Sequence, residues 1–147
     1  MKALGWMYYF LGLEVWKLKD EIFLSQGRYT IDILRRFGMM DCKSMSTPMT
    51  LNLKKLCSDD LDLVDPTMYR QLIGLLMYLV NTRPDICFVV ITLSQYMCES
   101  RQIHWVVAKH VLRYLHGTVG YGSRNSMDSD MHLVGYTDSA WAGSVQD

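Results

Sequence analysis

Three successive runs of helix-like hydrophobic spacing fill residues 65–118, and they restrict the chain to folds that bury helix faces. Asp65 precedes a proline and matches a helix N-cap followed by a first-turn proline. Pro84 interrupts the first run, because proline has no amide hydrogen and disfavours helix at the residue before it. Ser100 is a candidate N-cap for the third run, which ends at Gly117. The pattern therefore predicts three consecutive helices.

Each run places its apolar residues on a single helix face. The predicted faces are Tyr69, Leu72, Ile73, Leu76, Met77 and Val80 in the first helix, Ile86, Val89, Val90, Leu93 and Met97 in the second, and Ile103, Val107, Val111, Tyr114 and Leu115 in the third. Amphipathic helices joined by short breaks bury such faces only against one another or against a neighbouring sheet.

The composition indicates a folded chain. Its 147 residues have room for one ordinary domain, and half of them are hydrophobic. The 15 basic side chains balance the 15 acidic ones, so the formal net charge is zero. This balance argues against a free-standing nucleic-acid binder, which usually carries a basic surplus.

The first residues of the chain are consistent with two interpretations, a β-strand and a secretory signal. In one, Tyr8 to Val15 form a strand that pairs, through a turn near Lys19, with a second strand from Glu21 to Gln26. In the other, Met1 to Leu13 form a secretory signal, because an apolar run of suitable length follows Lys2. No small-x-small cleavage site of the A-x-A type follows this run, which favours the strand.

A short helix is predicted from Arg28 to Met39. Tyr29, Ile33, Leu34 and Phe37 share its apolar face, and Gly38 ends it. Arg35 and Arg36 are interpreted as a solvated face. The following residues, 41–50, are predicted to be extended.

The residue types that commonly carry chemistry form no compact motif. Cysteines at positions 42, 57, 87 and 98 lack C-x-x-C spacing and are predicted to be reduced, partly buried thiols. His104, His110 and His116 recur every six residues, which turns each about 120° from the last on a helix and prevents convergence on one metal. Cys57 to Asp60 contain paired aspartates, but charged flanks favour an acidic loop over a two-metal site. No apolar run is long enough to span a bilayer.

Three motifs in order make the chain resemble the Ty1/copia class of retrotransposon polyprotein. They are YRQLIGLLMYLVNTRPDICFVV (Tyr69 to Val90), HWVVAKHVLRYLHGT (His104 to Thr118) and GYTDSAWAG (Gly135 to Gly143), and the resemblance begins at YFLGLEV (Tyr9 to Val15).

This resemblance implies an α+β fold with three regions. An N-terminal β-hairpin, a short helix and a linker fill residues 1–64. A three-helix block similar to a polymerase thumb and connection fills residues 65–118. Residues 119–147 would supply the first strands of an incomplete ribonuclease H-like domain.

The same resemblance implies a fragment without a complete active site. Asp138 matches the first catalytic carboxylate of ribonuclease H, but Ala140 stands where the family commonly has a second aspartate. The remaining carboxylates would lie beyond Asp147, and the polymerase metal site would precede Met1. The chain is therefore predicted to be an inactive fragment with no cofactor of its own. The intact parent would use Mg²⁺ and would hold an RNA–DNA hybrid, and such a segment needs no basic surplus of its own.

The resemblance extends to secreted RxLR-class effectors of oomycete plant pathogens, which enter host cells and suppress immunity or cell death. This alternative uses Met1 to Leu13 as the signal and implies an unknown host plant protein as partner. Its degenerate motif would be Arg113, Tyr114, Leu115 and His116, or else residues 70–73. Both lie on predicted helices, which favours their interpretation as helix surface and core. A retroelement fragment would stay inside its cell, whereas an effector would be exported before entering the host cell.

Overall fold

The computed structural model describes residues 8–49 and 63–126. These residues form a four-stranded antiparallel sheet and four α-helices, which confirms the predicted α+β class. The elements in chain order are β1 (Tyr9–Phe10), β2 (Leu13–Lys17), β3 (Glu21–Ser25), α1 (Gly27–Arg36), α2 (Pro66–Leu79), a 3₁₀ turn (Pro84–Ile86), α3 (Cys87–Ser94), α4 (Gln102–Gly117) and β4 (Gly122–Ser126).

The predicted N-terminal hairpin is confirmed, with two corrections. Strands β2 and β3 pair antiparallel, with Trp16 opposite Phe23. The single strand expected from Tyr8 to Val15 is instead divided by a turn at Leu11 and Gly12, whose φ angles are 48° and 81°. Two positive φ angles are typical of the tight hairpin turn that matches strand twist, so β1 folds back onto β2. The second correction is that β2 continues to Lys17.

Strand β4 completes the sheet in the order β1-β2-β3-β4. It pairs antiparallel with β3, and Arg124 lies opposite Phe23. The guanidinium of Arg124 donates two hydrogen bonds of 2.7 Å to the carboxylate of Glu21 on β3. Residues about a hundred positions apart in the sequence thus pair in one sheet. The local sequence pattern of neither strand predicts this pairing.

The local start and stop signals of the helices are largely confirmed. Asp65 caps α2, because its carboxylate accepts the backbone N–H of Thr67 at 2.9 Å. Helix α1 ends before Gly38, whose φ of 65° permits the backbone N–H of Met39 to donate to the carbonyl of Leu34. The predicted break at Pro84 is also present, as a 3₁₀ turn that leads into α3.

The predicted cap of the third helix is wrong. Helix α4 begins after Arg101, and the buried hydroxyl of Ser100 has no hydrogen-bond partner among the described residues. Instead, the backbone N–H of Arg101 donates to Nδ1 of His104 at 3.0 Å. The backbone N–H groups at the start of a helix lack partners within the helix. Here the His104 side chain, in the first turn, accepts one of these hydrogen bonds.

The hydrophobic core lies among the helices, and its faces differ partly from the predicted ones. On α2, Met77 is 49% exposed while Leu79 is fully buried. On α4, Ile103 and Val107 are only half-buried. Because α4 packs against α1, α2 and α3, its buried face is wider than one stripe. It also includes His104, Trp105, Ala108 and Leu112.

The sheet contributes no fully buried apolar side chain in the described part of the chain. Its apolar residues are half-buried or exposed, and Trp16 is 58% exposed. Helix α3 is apolar on all sides, so Phe88 and Ile91 remain 64% and 54% exposed beside its buried face. Within the described ranges, no helix has both the length and the apolar character needed to cross a bilayer.

Replacing Leu76 by aspartate should unfold the helical core. Leu76 is fully buried, and an unpaired charge at such a site lowers the free energy of unfolding by at least about 3 kcal/mol, a large part of a typical 5–15. The neighbouring Met77→Asp is the matched control and should change it by less than about 1 kcal/mol. Urea unfolding followed by far-UV circular dichroism measures both, and equal losses would contradict this description of the core.

Candidate functional site

Arg83 is the largest fully buried side chain in residues 8–49 and 63–126, with 2% of its surface exposed. It lies between α2 and the 3₁₀ turn. Its Nε donates to Oδ1 of Asp85 at 2.9 Å, and its Nη2 donates to Oδ2 at 2.8 Å. This two-pronged geometry matches the planar guanidinium to the carboxylate. The ion pair folds the Arg-Pro-Asp segment back on itself.

Two further groups complete the network. Arg83 Nη1 donates to the carbonyl of Thr118 at 2.9 Å, and Nη2 donates to the Thr118 hydroxyl at 2.7 Å. The hydroxyl of Tyr114 donates to Oδ2 of Asp85 at 2.7 Å. The guanidinium carbon also lies 5.5 Å from the ring centre of Tyr114 and 5.4 Å from that of Tyr121. A buried charge is tolerated only when it is paired and hydrogen-bonded, and Arg83 meets both conditions.

The charge states of this network follow from the same contacts. Burial alone would raise the pKa of Asp85, but the hydrogen bonds from Arg83 and Tyr114 outweigh it and hold that pKa below its usual range. Burial raises the pKa of Tyr114, and its hydrogen bond to Asp85 raises it further. At neutral pH the carboxylate is therefore ionised and the phenol protonated. Because each group is engaged by another, the cluster fixes structure and is not poised for proton transfer.

A groove of about 570 Å³ opens beside this network, at the end of α4. Its lining comprises Ser44, Met45, Ser46, Tyr114, Gly117, Thr118 and Tyr121. The segment on its other side is held along α4, because Arg113 Nε donates to the carbonyl of Lys43 at 2.8 Å. A Cβ atom on Gly117 would lie 2.9 Å from the Cβ of Ser44, so this close approach requires glycine.

A second, smaller cleft of about 220 Å³ lies at the edge of the sheet. It is lined by Tyr8, Tyr9, Glu14, Val15, Trp16 and Arg28. Glu14 Oε1 accepts the backbone N–H of Arg28 at 2.9 Å, and Arg28 Nε lies 3.8 Å from the same oxygen. The guanidinium of Arg28 also lies over the ring of Tyr9, 5.8 Å from its centre. The cleft thus combines exposed aromatic rings with one internally neutralised carboxylate.

The residues of the degenerate RxLR motif lie on α4 and are engaged in packing. Tyr114 and Leu115 belong to the buried core, and Arg113 and His116 are half-buried. The second version, at residues 70–73, lies on α2 and places Leu72 and Ile73 in the core. The structure therefore presents neither version as an extended, accessible segment.

The remaining sequence candidates contribute no cluster to the described residues. Asp138 and the segment Cys57 to Asp60 lie outside them. Within residues 8–49 and 63–126, no three His, Cys, Asp or Glu side chains come together as a metal site would require. Cys42 and Cys87 are free, half-buried thiols, as predicted, whereas Cys98 is free but exposed.

Sequence reasoning missed both the Arg83 network and the sheet-edge cleft. The sequence signal for the Arg83 network was the pair of charged residues, Arg83 and Asp85, on either side of Pro84 and between two strongly apolar helices. A charged residue at such a place must find partners. The signal for the second was the alternation of Glu14 and Trp16, which places both on one face of a strand.

Comparison with known proteins gives three informative relatives. The Retrovirus-related Pol polyprotein from transposon RE2 of Arabidopsis thaliana is 41% identical over 141 residues, which cover 96% of this chain and 10% of the polyprotein. An uncharacterized mitochondrial protein of the same plant is 40% identical, over 97% of this chain and 59% of that protein. Secreted RxLR effector protein 161 of Plasmopara viticola is 43% identical over 79 residues, 53% of this chain and 56% of the effector.

This chain thus spans about a tenth of the RE2 polyprotein and less than two thirds of the mitochondrial protein. No protein-family model matches the chain. No solved structure matches it either.

The ion pair of Asp85 predicts a specific pH dependence of stability. Since the folded-state pKa lies below the unfolded value, the ionised carboxylate stabilises the fold above about pH 4, and this contribution is lost as the pH falls through the folded-state pKa. The urea midpoint should therefore fall more steeply for the natural chain than for Asp85→Asn between about pH 5 and pH 2.5. Asp32→Asn, at an exposed carboxylate, is the control and should keep the natural slope. Equal slopes for all three proteins would contradict the assignment.

Proposed function

Because nearly the whole chain is homologous to one segment of copia/Ty1-type retrotransposon Pol polyproteins, we propose that it is a non-catalytic segment of such a polyprotein. It would comprise the thumb and connection region of the reverse transcriptase and the start of ribonuclease H. The observation that carries this proposal is the coverage: 96% of the chain aligns, yet only 10% of the RE2 polyprotein does.

The division of the fold into a packed helical core and an open sheet supports this role. Fully buried side chains hold α1 to α4 together, whereas the strands keep apolar residues such as Trp16 and Phe10 exposed. Exposed apolar surface of this kind is typical of segments that meet other parts of a larger protein. In the parent, the helices would support an RNA–DNA hybrid beside a polymerase domain, without a basic surplus of their own.

The carboxylates support the non-catalytic part of the proposal. Ribonuclease H chemistry holds two Mg²⁺ ions about 3.5–4 Å apart with several carboxylates. Asp138 matches one of these by resemblance, and alanine stands at position 140. A single carboxylate cannot bridge and position both ions.

The purified chain should therefore show neither primer extension nor cleavage of an RNA–DNA hybrid in Mg²⁺ or Mn²⁺. A complete reverse transcriptase in the same buffer provides the positive control. Cleavage that is lost in Asp138→Ala and retained in Asp130→Ala would contradict the proposal, because it would place a working metal site at Asp138.

A second function is favoured by one observation, the 43% identity to the secreted RxLR effector over 79 residues. As an effector derived from such a fragment, the chain would be exported, would enter host cells and would bind a host plant protein. In this proposal its signal is the apolar segment Met1 to Leu13. In the structure, part of that segment forms β1 and the following turn, and the hydroxyl of Tyr78 on α2 donates to the carbonyl of Leu11. Cleavage after this segment would remove that edge of the sheet.

A secretion assay separates the two functions. The first twenty residues, fused to a reporter in yeast, should be exported poorly, because no A-x-A-type cleavage site follows the apolar run. Efficient export with cleavage near Gly12 would favour the effector instead. In that case the double change Phe10→Asp and Leu11→Asp must abolish export, while the matched change of Lys17 and Leu18 to aspartate, outside the apolar run, must leave it intact.

A further inference from the structure

We propose that the sheet-edge cleft binds a single unpaired guanine base, with Trp16 stacking on the base and Glu14 accepting hydrogen bonds from its Watson–Crick edge. The inference goes beyond the proposed function, because it concerns recognition of one base by the isolated chain. It relies on stacking and base hydrogen bonds, whereas the balanced charge argues against binding through phosphate contacts.

The sheet register places the required side chains together. Tyr9 lies opposite Glu14 across the β1–β2 pair, and directly opposed residues present their side chains on the same face. Trp16 lies two residues after Glu14 on β2 and shares that face. Tyr9 is 53% exposed and Trp16 is 58% exposed. The cleft therefore offers two accessible aromatic rings beside a carboxylate.

The carboxylate of Glu14 is prepared to accept further hydrogen bonds. Its side chain is 17% exposed, so it faces the cleft from a half-buried position. Oε1 accepts the backbone N–H of Arg28, which uses one of the roughly four acceptor positions of a carboxylate. An ionised carboxylate can accept several hydrogen bonds and binds two parallel donors well. A ligand with two adjacent N–H groups therefore fits this position.

Guanine is the base with this donor pattern. Its Watson–Crick edge presents the N1–H and 2-amino donors side by side, whereas adenine places an acceptor nitrogen there, which a carboxylate repels. Unpaired bases are commonly bound by stacking on aromatic rings and by hydrogen bonds to this edge. The cleft of about 220 Å³ has room for one planar base.

The charges of the cleft favour a base over a cation. Arg28 already pairs with Glu14 and covers Tyr9, so an incoming ammonium group would meet a carboxylate that has its counter-charge. A purely apolar partner would remove water from the Glu14 carboxylate without offering it a new donor, which is costly. A neutral base with two donors avoids both costs.

The same sheet face continues beyond the cleft. Trp16 lies opposite Phe23 on β3, which in turn lies opposite Arg124 on β4. This row gives an adjacent nucleotide a ring to stack on, beside the Arg124 guanidinium, which is 68% exposed and remains paired with Glu21. Single-stranded RNA binds four-stranded sheets through aromatic residues on one face in this manner.

Fluorescence anisotropy with labelled uridine octamers tests the proposal on the natural chain. The central nucleotide is guanosine, inosine or adenosine, and inosine lacks only the 2-amino donor. We expect guanosine to bind most tightly, inosine about tenfold more weakly and adenosine more weakly still. Because stacking and base contacts carry the binding, affinity should change little between about 50 and 200 mM salt.

Variants assign the interaction to its side chains. Trp16→Leu keeps an apolar side chain but removes the ring, and should weaken guanosine binding at least about fivefold. Glu14→Gln should remove most of the preference for guanosine over adenosine. Phe88→Ala, which removes a similarly exposed aromatic ring from α3, should leave the affinity for guanosine and the preference over adenosine unchanged.

Equal binding of the three octamers by the natural chain would overturn the proposal, as would no binding at all. Self-association of the natural chain, measured by analytical ultracentrifugation and lost in Trp16→Leu, would assign the exposed rings to a second copy if no octamer binds. Since the inosine comparison requires no altered protein, poor folding of a variant does not remove the test.

Discussion

The buried guanidinium of Arg83 is the interaction on which the arrangement of the helices depends. It fixes the turn between α2 and α3 through Asp85 and joins that turn to the end of α4 through Thr118. Removing one partner of a buried ion pair usually destabilises a protein by about 3–5 kcal/mol, because the other charge then lacks compensation. Partial exposure of Asp85 reduces that figure here. The network thus determines where α4 ends and where the chain leaves for β4.

Local signals predicted the elements well, and long-range contacts account for most of the errors. The cap at Asp65 and the stop at Gly38 were predicted because a few neighbouring atoms determine them. The pairing of β4 with β3 joins residues about a hundred positions apart, and no periodicity reports such a contact. The exposed position of Met77 also depends on where the neighbouring helices lie. A hydrophobic stripe predicts that a helix has a buried face, but its width depends on the number of partners.

The candidate sites were less predictable than the fold for a related reason. Arg83, Asp85 and Tyr114 form one cluster because the 3₁₀ turn meets α4, whereas the sequence shows only a helix break followed by an ordinary aromatic position. The cleft around Glu14 requires the turn at Leu11 and Gly12, which was predicted as continuous strand. Leu11 has a positive φ angle, which leucine rarely adopts, and its side chain is 70% exposed, although leucine is usually buried. Such departures concentrate at functional segments.

The packing of α4 constrains how the effector function could operate. A host protein that reads Arg113 to His116 as an extended peptide would require the last turn of α4 to unfold. That unfolding would expose Leu115 and would break the hydrogen bond from Tyr114 to Asp85. It would also release the segment that Arg113 holds at Lys43. Recognition of the folded chain would therefore use surfaces that the core leaves free, such as the aromatic face of the sheet and the outer side of α3, where Phe88 and Ile91 are exposed. Both proposed functions would thus use the same exposed surfaces, and they would differ in whether the partner is the rest of a polyprotein or a separate molecule.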